Sequence, residues 1–186
     1  MRFFIALEIP SDKRAQFQAI QTSLHTLIPQ TRLTDLNKVH LTLAFIGEQS
    51  DLFINQLINI IKTASFQIPP FEVAPAYIDG FPTIHNPSVL WVGVKGDVGK
   101  LFLMHERIKD GLKALKLPAD ERRFVPHISI AKLNSHFQIN TDLERDLEEI
   151  MVKNFEPIQI SSIKLFESVP SEGFHKHNTL AEIRLI

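Results

Sequence analysis

The strongest constraint on this chain is a four-residue pattern that occurs twice, as His40-Leu41-Thr42-Leu43 and as His127-Ile128-Ser129-Ile130. In each copy a histidine and a hydroxyl residue alternate with two aliphatic residues. Successive side chains of a β-strand point to opposite faces, so the histidine and the hydroxyl share one face and the aliphatic residues share the other. Each copy therefore predicts a strand with one face in a core and the other face lining a polar site.

The spacing of the two copies predicts an internal duplication. The histidines are separated by close to half of the 186-residue chain, and each copy begins an apolar run after a polar stretch. Self-similarity at a fixed separation is typical of a repeated structural unit. We therefore expect one motif strand in each half of a single domain that spans residues 1–186.

Hydrophobic periodicity places the remaining elements. We predict strands at residues 2–8, 39–46, 71–78, 89–94, 124–133, 158–169 and 179–186. We predict helices at residues 11–27, 51–64, 99–115 and 143–151, and an irregular loop at residues 79–88. This order predicts a mixed α+β fold with central sheets and outer helices.

Two imidazoles and two hydroxyls in one site suit the cleavage of a phosphodiester. One neutral histidine can take a proton from attacking water while a protonated histidine gives one to the leaving oxygen. The hydroxyls of Thr42 and Ser129 can donate hydrogen bonds to phosphate oxygens, and Lys132 or Arg123 can neutralise the remaining charge.

Composition limits the alternatives. The chain has no cysteine, which excludes disulfides, thiolate nucleophiles and cysteine zinc sites. The net charge of −1 predicts that any nucleic acid is bound at a short segment or an end. Two histidines could instead bind zinc, with a third ligand from His175 or His177, but these two lie in what reads as a surface loop. The sequence has neither a G-x-S-x-G elbow nor a phosphate-binding P-loop.

No apolar run is long enough to span a bilayer, and residues 1–8 read as a first strand rather than a signal peptide. We therefore expect no membrane association and a cytoplasmic location.

The sequence around both motifs resembles the two-histidine (2H) phosphoesterases, and within them the LigT-like bacterial RNA 2′,3′-cyclic phosphodiesterases, also called the 2′-5′ RNA ligase family. The resemblance covers nearly the whole chain and is carried by four segments: MRFFIALEIP, NKVHLTLAFIGE, RRFVPHISIAKL and IKLFESVPSEGFHKHNTLAEIRL. It implies two pseudosymmetric lobes whose antiparallel sheets line a central cleft, with helices outside.

The resemblance also implies a function. The expected reaction is the opening of a 2′,3′-cyclic phosphate at an RNA end, or on a free nucleoside, to a 2′-phosphate, by a monomer without metal or other cofactor. By analogy His40 protonates the leaving 3′ oxygen and His127 activates water, although two pseudosymmetric histidines could exchange these roles. Thr42 and Ser129 correspond to the family's phosphate-binding hydroxyls. Alternative functions are a phosphodiesterase for another cyclic or 2′-linked nucleotide, or a non-catalytic module that binds RNA ends.

Two further positions follow from the resemblance. Lys132 stands where the family commonly has arginine, but in a regular strand it would lie on the face opposite His127. It therefore needs a bulge or a strand end to reach the site. Phe166 stands where an aromatic side chain often lies near the substrate base, although it could equally be a core residue.

Overall fold

A single curled β-sheet runs through the whole molecule. The computed structural model describes residues 1–134 and 136–186. The described strands are β1 (Arg2–Glu8), β2 (Arg32–Leu33), β3 (His40–Glu48), β4 (Phe71–Phe81), β5 (Val89–Gly96), β6 (His127–Lys132), β7 (Ile158–Ile160), β8 (Ser162–Ser171) and β9 (Phe174–Arg184). The described helices are α1 (Arg14–Leu27), α2 (Ile54–Ser65), α3 (Val98–Ala114) and α4 (Thr141–Ile150).

The strand order divides the sheet into two halves. Neighbouring strands run β7-β4-β5-β6-β3-β1-β8-β9, every pairing is antiparallel, and the short β2 pairs with β6. The order β1-α1-β3-α2 in the first half corresponds to β5-α3-β6-α4 in the second. The predicted two-lobed α+β fold is confirmed, and the lobes meet where β3 pairs with β6.

The main core lies between one face of the sheet and the helices. Alternate residues of each strand enter this core, as Phe3, Ile5 and Leu7 of β1 do. Helix α1 packs against α4, and α2 packs against α3. The two motif histidines lie on the opposite face of the sheet from this core.

The strands predicted at residues 158–169 and 179–186 differ from those in the structure. Periodicity predicts one strand over residues 158–169, but Ser161 separates β7 from β8. The separation has a topological cause, because β7 pairs with β4 and β8 pairs with β1, in different halves of the sheet. The last strand begins at Phe174 rather than at residue 179, because β8 and β9 form a tight hairpin whose turn places Gly173 at a φ of 85°.

Two other boundaries differ from prediction. Residues 79–81 do not belong to an irregular loop but continue β4 and pair with β5. The second motif strand begins at His127 rather than at residue 124. Pro126 directly precedes it and has no backbone N–H to donate to a neighbouring strand.

Candidate active site

The junction between β3 and β6 brings both motifs together. Leu41 lies directly opposite Ile128, and both side chains are buried in the core. The antiparallel register around this pair sets His40 beside Ser129 and Thr42 beside His127 on the other face of the sheet. Two imidazoles and two hydroxyls therefore form a compact array at the centre of the molecule.

Each imidazole is held in the same way. The Nδ1–H of His40 donates to the carbonyl of Lys38 at 2.5 Å, and the Nδ1–H of His127 donates to the carbonyl of Val125 at 2.7 Å. A carbonyl can only accept, so Nδ1 carries the hydrogen in the neutral form of both rings. Nε2 is then the atom that can accept a proton from a ligand or, once protonated, donate one.

Burial sets the charge state of both histidines. It lowers the pKa of His40 below its ordinary value, and the nearby His127 acts in the same direction, while the Lys38 carbonyl and the Glu8 carboxylate oppose the shift. Burial likewise lowers the pKa of His127, with the Val125 carbonyl opposing. Both rings therefore favour the neutral form in the free protein.

The residues across from the two histidines break the pseudosymmetry of the site. Glu8 of β1 lies directly opposite His40, and it is ion-paired with Lys164 and, at 3.4 Å, with Arg14. The position opposite His127 is Gly93 of β5. A carboxylate therefore faces one imidazole, and no side chain projects from the corresponding position beside the other.

The hydroxyls of the site remain available for a ligand. Thr42 is 8% exposed and Ser129 is half-buried. Within the described part of the chain, neither hydroxyl forms a hydrogen bond to another protein group, whereas other threonines such as Thr31 bond backbone carbonyls. By strand alternation and the register of β3 with β6, both hydroxyl side chains lie on the same face of the sheet as the two histidines.

A β-bulge brings Lys132 to the histidine face. Strand β5 pairs with Ser129 and next with Ala131, which leaves Ile130 as an extra residue. Ile130 and Ala131 are both fully buried, so the side-chain alternation shifts by one position. Lys132 consequently lies on the same face as His127, as a regular strand would not allow.

The first motif has the same bulge at the same place. Strand β1 pairs with Thr42 and next with Ala44, so that Leu43 is the extra residue. Phe45 therefore lies on the face of His40, and its side chain is 67% exposed. Phe45 and Lys132 occupy equivalent positions in the two halves.

Arg123 has no such anchoring. It is exposed in the irregular segment that leads into β6, and it forms no ion pair with any described residue. Its neighbour Arg122 binds Asp120 instead, with guanidinium and carboxylate 2.7 Å apart. The structure gives no support for including Arg123 in the site beyond its nearness in sequence.

Aromatic side chains flank His40. Phe166 stacks on Phe4 with ring centroids 5.0 Å apart, and both belong to a small apolar cluster separate from the main core. The ring of Phe4 also lies against three other rings, with centroid distances of 5.2 Å to His40, 4.9 Å to His177 and 6.0 Å to Phe45. Phe166 is thus a site-side residue of low exposure, and Phe45 is the accessible ring of this group.

A second aromatic group flanks His127. Phe81 contacts the His127 ring edge-on at 5.0 Å, and Trp91 lies 5.6 Å from it. The ring of Tyr77 lies across Gly93, in space that any side chain at that position would need. The sequence pattern did not identify these residues, because they come from β4 and β5 and only the register of the sheet brings them to the motif.

The interpretation of residues 175–177 as a surface loop is wrong. Both histidines lie in β9, and the ring of His177 contacts that of His40 at 5.6 Å. Burial and the nearby His40, Lys38 and His175 lower the pKa of His177 to about 4. The alternation of His175 and His177 with a lysine is the sequence signal that indicates a strand here.

Among the described residues, no group of three or more histidine, aspartate or glutamate side chains is arranged to hold a metal ion. In the described part of the chain, no helix combines the length and apolar composition needed to cross a bilayer.

Comparison with known proteins supports the resemblance seen in the motifs. A model of the 2′-5′ RNA ligase superfamily matches residues 10–165. An RNA 2′,3′-cyclic phosphodiesterase of Aeropyrum pernix is 26% identical over 162 residues, which cover 86% of this chain and 89% of the relative. A protein of the same name from Archaeoglobus fulgidus is 22% identical over 169 residues, which cover 91% of this chain and 92% of the relative.

Solved structures share the fold. The protein TT0787 of Thermus thermophilus superposes with a TM-score of 0.77 at 20% identity, covering 100% of this chain and 98% of that one. LigT of E. coli, solved in complex with 3′-AMP, superposes with a TM-score of 0.74 at 19% identity, covering 99% and 97%. The two-lobed sheet with helices outside is therefore a known architecture.

Proposed function

Because the chain belongs to the 2′-5′ RNA ligase superfamily, we propose that it hydrolyses 2′,3′-cyclic phosphates at RNA ends, or on free nucleosides, to 2′-phosphates. The observation that carries this proposal is the pair of imidazoles on adjacent strands, each with Nδ1 bound to a carbonyl and Nε2 left for the substrate. The relatives named RNA 2′,3′-cyclic phosphodiesterase support the same activity.

The proposed reaction is an acid–base cycle. Nε2 of neutral His127 takes a proton from water as the water oxygen bonds to phosphorus. The bond from phosphorus to the 3′ oxygen breaks, and protonated His40 gives its Nε2 proton to that oxygen. The products are a 2′-phosphate and a 3′-hydroxyl, and solvent then exchanges protons with both rings. Each group contributes about 10²–10⁴-fold to the rate.

The assignment of His40 as the acid follows the analogy with the family, and the residue opposite His40 offers a way to test it. An acid must be protonated before it acts. Burial has the largest effect on His40 and lowers its pKa, and the Glu8 carboxylate opposite His40 acts against that shift by favouring the imidazolium form. The corresponding position opposite His127 is Gly93, which has no charge to stabilise an imidazolium, whereas aromatic rings flank both histidines. The bound cyclic phosphate is itself an anion, so substrate binding raises the pKa of both histidines toward the acid form that catalysis requires of His40.

The remaining site residues bind the substrate in this proposal. Thr42 and Ser129 donate hydrogen bonds to the non-bridging phosphate oxygens, and Lys132 offsets the charge that develops on them. Lysine acts here as a point charge, because it lacks the planar two-pronged geometry of arginine. The terminal base stacks beside Phe45, which contacts Phe4, and Phe4 in turn stacks on Phe166.

Substrate comparison tests this function against a phosphodiesterase for other linkages. We expect turnover of a short oligoribonucleotide that ends in a 2′,3′-cyclic phosphate, at a rate at least tenfold above that for 3′,5′-cyclic AMP or a 2′-5′-linked dinucleotide. Faster cleavage of either comparison substrate would identify the alternative activity. Tight binding of the cyclic end without turnover would identify an RNA-end-binding protein.

The pH dependence tests the assigned roles. Both pKa values are lowered in the free protein, so kcat/KM should be bell-shaped with its maximum below about pH 6.5, the ordinary histidine pKa. The profile of kcat should lie at higher pH, because bound phosphate raises both pKa values. The limbs belong to the coupled pair, and a monotonic profile would contradict the two-histidine mechanism.

The variant Glu8→Gln tests whether His40 and His127 differ in their protonation. Removing the carboxylate should lower the pKa of His40 and leave that of His127 unchanged. NMR titration of the two imidazoles measures both values. The basic limb of kcat/KM then moves to lower pH, since the acid loses its proton earlier. Glu182→Gln is the matched control, because Glu182 lies opposite Lys164 on β9, two strands from β1 and away from the imidazole. An equal shift in both variants would rule out a specific role for Glu8.

A further inference from the structure

A buried glutamine holds the bulge of the second motif strand. Gln21 of α1 is 3% exposed, and its side-chain Nε2 donates to the carbonyl of Ile130 at 3.0 Å and to that of Thr34 at 2.8 Å. Ile130 is the extra residue of the bulge, and its carbonyl also accepts from the backbone N–H of Thr34. The amide therefore fastens the bulge to the segment that follows β2.

A histidine does the same for the first motif strand. The Nδ1–H of His105, on α3, donates to the carbonyl of Leu43 at 2.8 Å. Leu43 is the extra residue of the first bulge. The His105 ring is stacked on Phe124, with centroids 4.0 Å apart and planes within 4° of parallel, so its orientation is fixed by packing.

Both contacts cross between the halves of the molecule. Helix α1 immediately precedes the segment that leads to β3, yet its Gln21 holds β6. Helix α3 precedes β6, yet its His105 holds β3. Gln21 and His105 thus occupy corresponding places in the two halves. Each donates to the carbonyl three residues after the motif histidine of the other half, that of Ile130 or of Leu43.

We propose that Gln21 and His105 are positioning residues that keep both bulges formed, and through them hold Lys132 and Phe45 on the catalytic face. Without the bulge the alternation of the strand returns Lys132 to the core side of the sheet. A buried amide that donates to two carbonyls is well suited to this task, because its loss leaves buried acceptors short of a hydrogen-bond donor. The inference rests on the proposed function only in using turnover as one of its readouts.

A double-mutant cycle between Gln21 and Lys132 tests the proposal. Gln21→Met keeps the size of the side chain and removes both donors, and Lys132→Met removes the ammonium. Lys132→Met should lower kcat/KM for a nucleoside 2′,3′-cyclic phosphate roughly 10- to 100-fold, the range for a hydrogen bond to a charged group. Gln21→Met should lower it several-fold in the wild-type background and less than about twofold in the Lys132→Met background.

Two controls separate positioning from loss of stability. Ile20→Val weakens the neighbouring core contact of α1 without touching either carbonyl, and it should leave kcat/KM unchanged at a temperature where the protein is folded. The side chain in Gln21→Asn is one methylene shorter and should reach only one carbonyl, so its kcat/KM should lie between those of the wild type and Gln21→Met. This variant replaces Gln21→Met in the test if Gln21→Met fails to fold. The affinity for inorganic phosphate, measured by calorimetry, should show the same pattern: Gln21→Met should weaken binding when Lys132 is present and have little effect once Lys132 is replaced with methionine.

His105→Phe provides an independent arm for the first motif, since it keeps the stack on Phe124 and removes the donor. Its effect on kcat/KM should disappear when Phe45 is already replaced with alanine.

Equal losses from Gln21→Met with and without Lys132, or no loss at all, would overturn the inference. An absence of turnover in the wild-type protein would instead overturn the proposed function, and the phosphate-affinity cycle would still decide the role of Gln21.

Discussion

We expect replacement of His40 or His127 with asparagine to lower kcat/KM for a 2′,3′-cyclic phosphate by about 10²–10⁴-fold, the contribution of one general acid or base. Asparagine can keep the hydrogen bond from the δ position to the Lys38 or Val125 carbonyl, so the strand and its bulge stay in place. What is lost is Nε2, the only atom of either side chain that can exchange a proton with the substrate.

The size of this effect depends on the two histidines acting together. The double variant should lose little beyond the worse single variant, because proton removal and proton donation belong to one step. His25→Asn is the control, since His25 is exposed on α1 and forms a hydrogen bond with Thr31, away from the motif strands. Thermal melting monitored by circular dichroism checks that all variants fold. Full activity in either single variant would eliminate that histidine from the mechanism.

Removing either hydroxyl should produce the second large effect. Thr42→Val and Ser129→Ala keep approximate size and delete a donor aimed at the phosphate. Each should cost about 2–4 kcal/mol of transition-state stabilisation, as loss of an oxyanion-hole donor does. The loss should fall mainly on kcat, because the charge on the phosphate oxygens is greatest in the transition state.

The matched controls are Thr22→Val and Ser65→Ala. These hydroxyls donate to the nearby carbonyls of Gln18 and Lys62 on their own helices. Both control variants should retain wild-type kinetics. If Thr42→Val and Ser129→Ala behaved like the controls, phosphate binding would have to be assigned to other donors on the same face.

The sequence revealed those parts of the site that follow from local alternation. His40 and Thr42, like His127 and Ser129, are two residues apart, and a strand necessarily places them on one face. The doubling of the motif indicated that two such faces would meet. Both inferences need only the period of a strand and the position of its apolar residues.

The sequence did not reveal features that depend on the register of neighbouring strands. Neither bulge is marked by a glycine, and the extra residues Leu43 and Ile130 are ordinary aliphatic side chains. Their positions are seen only in where β1 and β5 pair with the motif strands. Alternation alone therefore could not decide on which face Lys132 lies.

The asymmetry of the site was equally hidden in the sequence. Glu8 reads as the polar end of a first strand, and Gly93 as one residue of an apolar run. Only the pairing of β1 with β3 and of β5 with β6 places these two residues opposite the histidines. The break at Ser161 has a similar origin, because the strands on either side pair with distant parts of the sheet.

The most direct test of the central claim is the identity of the product formed from a nucleoside 2′,3′-cyclic phosphate in excess chelator. Chromatography against authentic 2′- and 3′-phosphate standards distinguishes the isomers. The two-histidine account, with His40 as the acid on the 3′ side, predicts the 2′-phosphate alone, formed at the same rate with and without chelator. A 3′-phosphate product, or turnover that requires added metal, would contradict it.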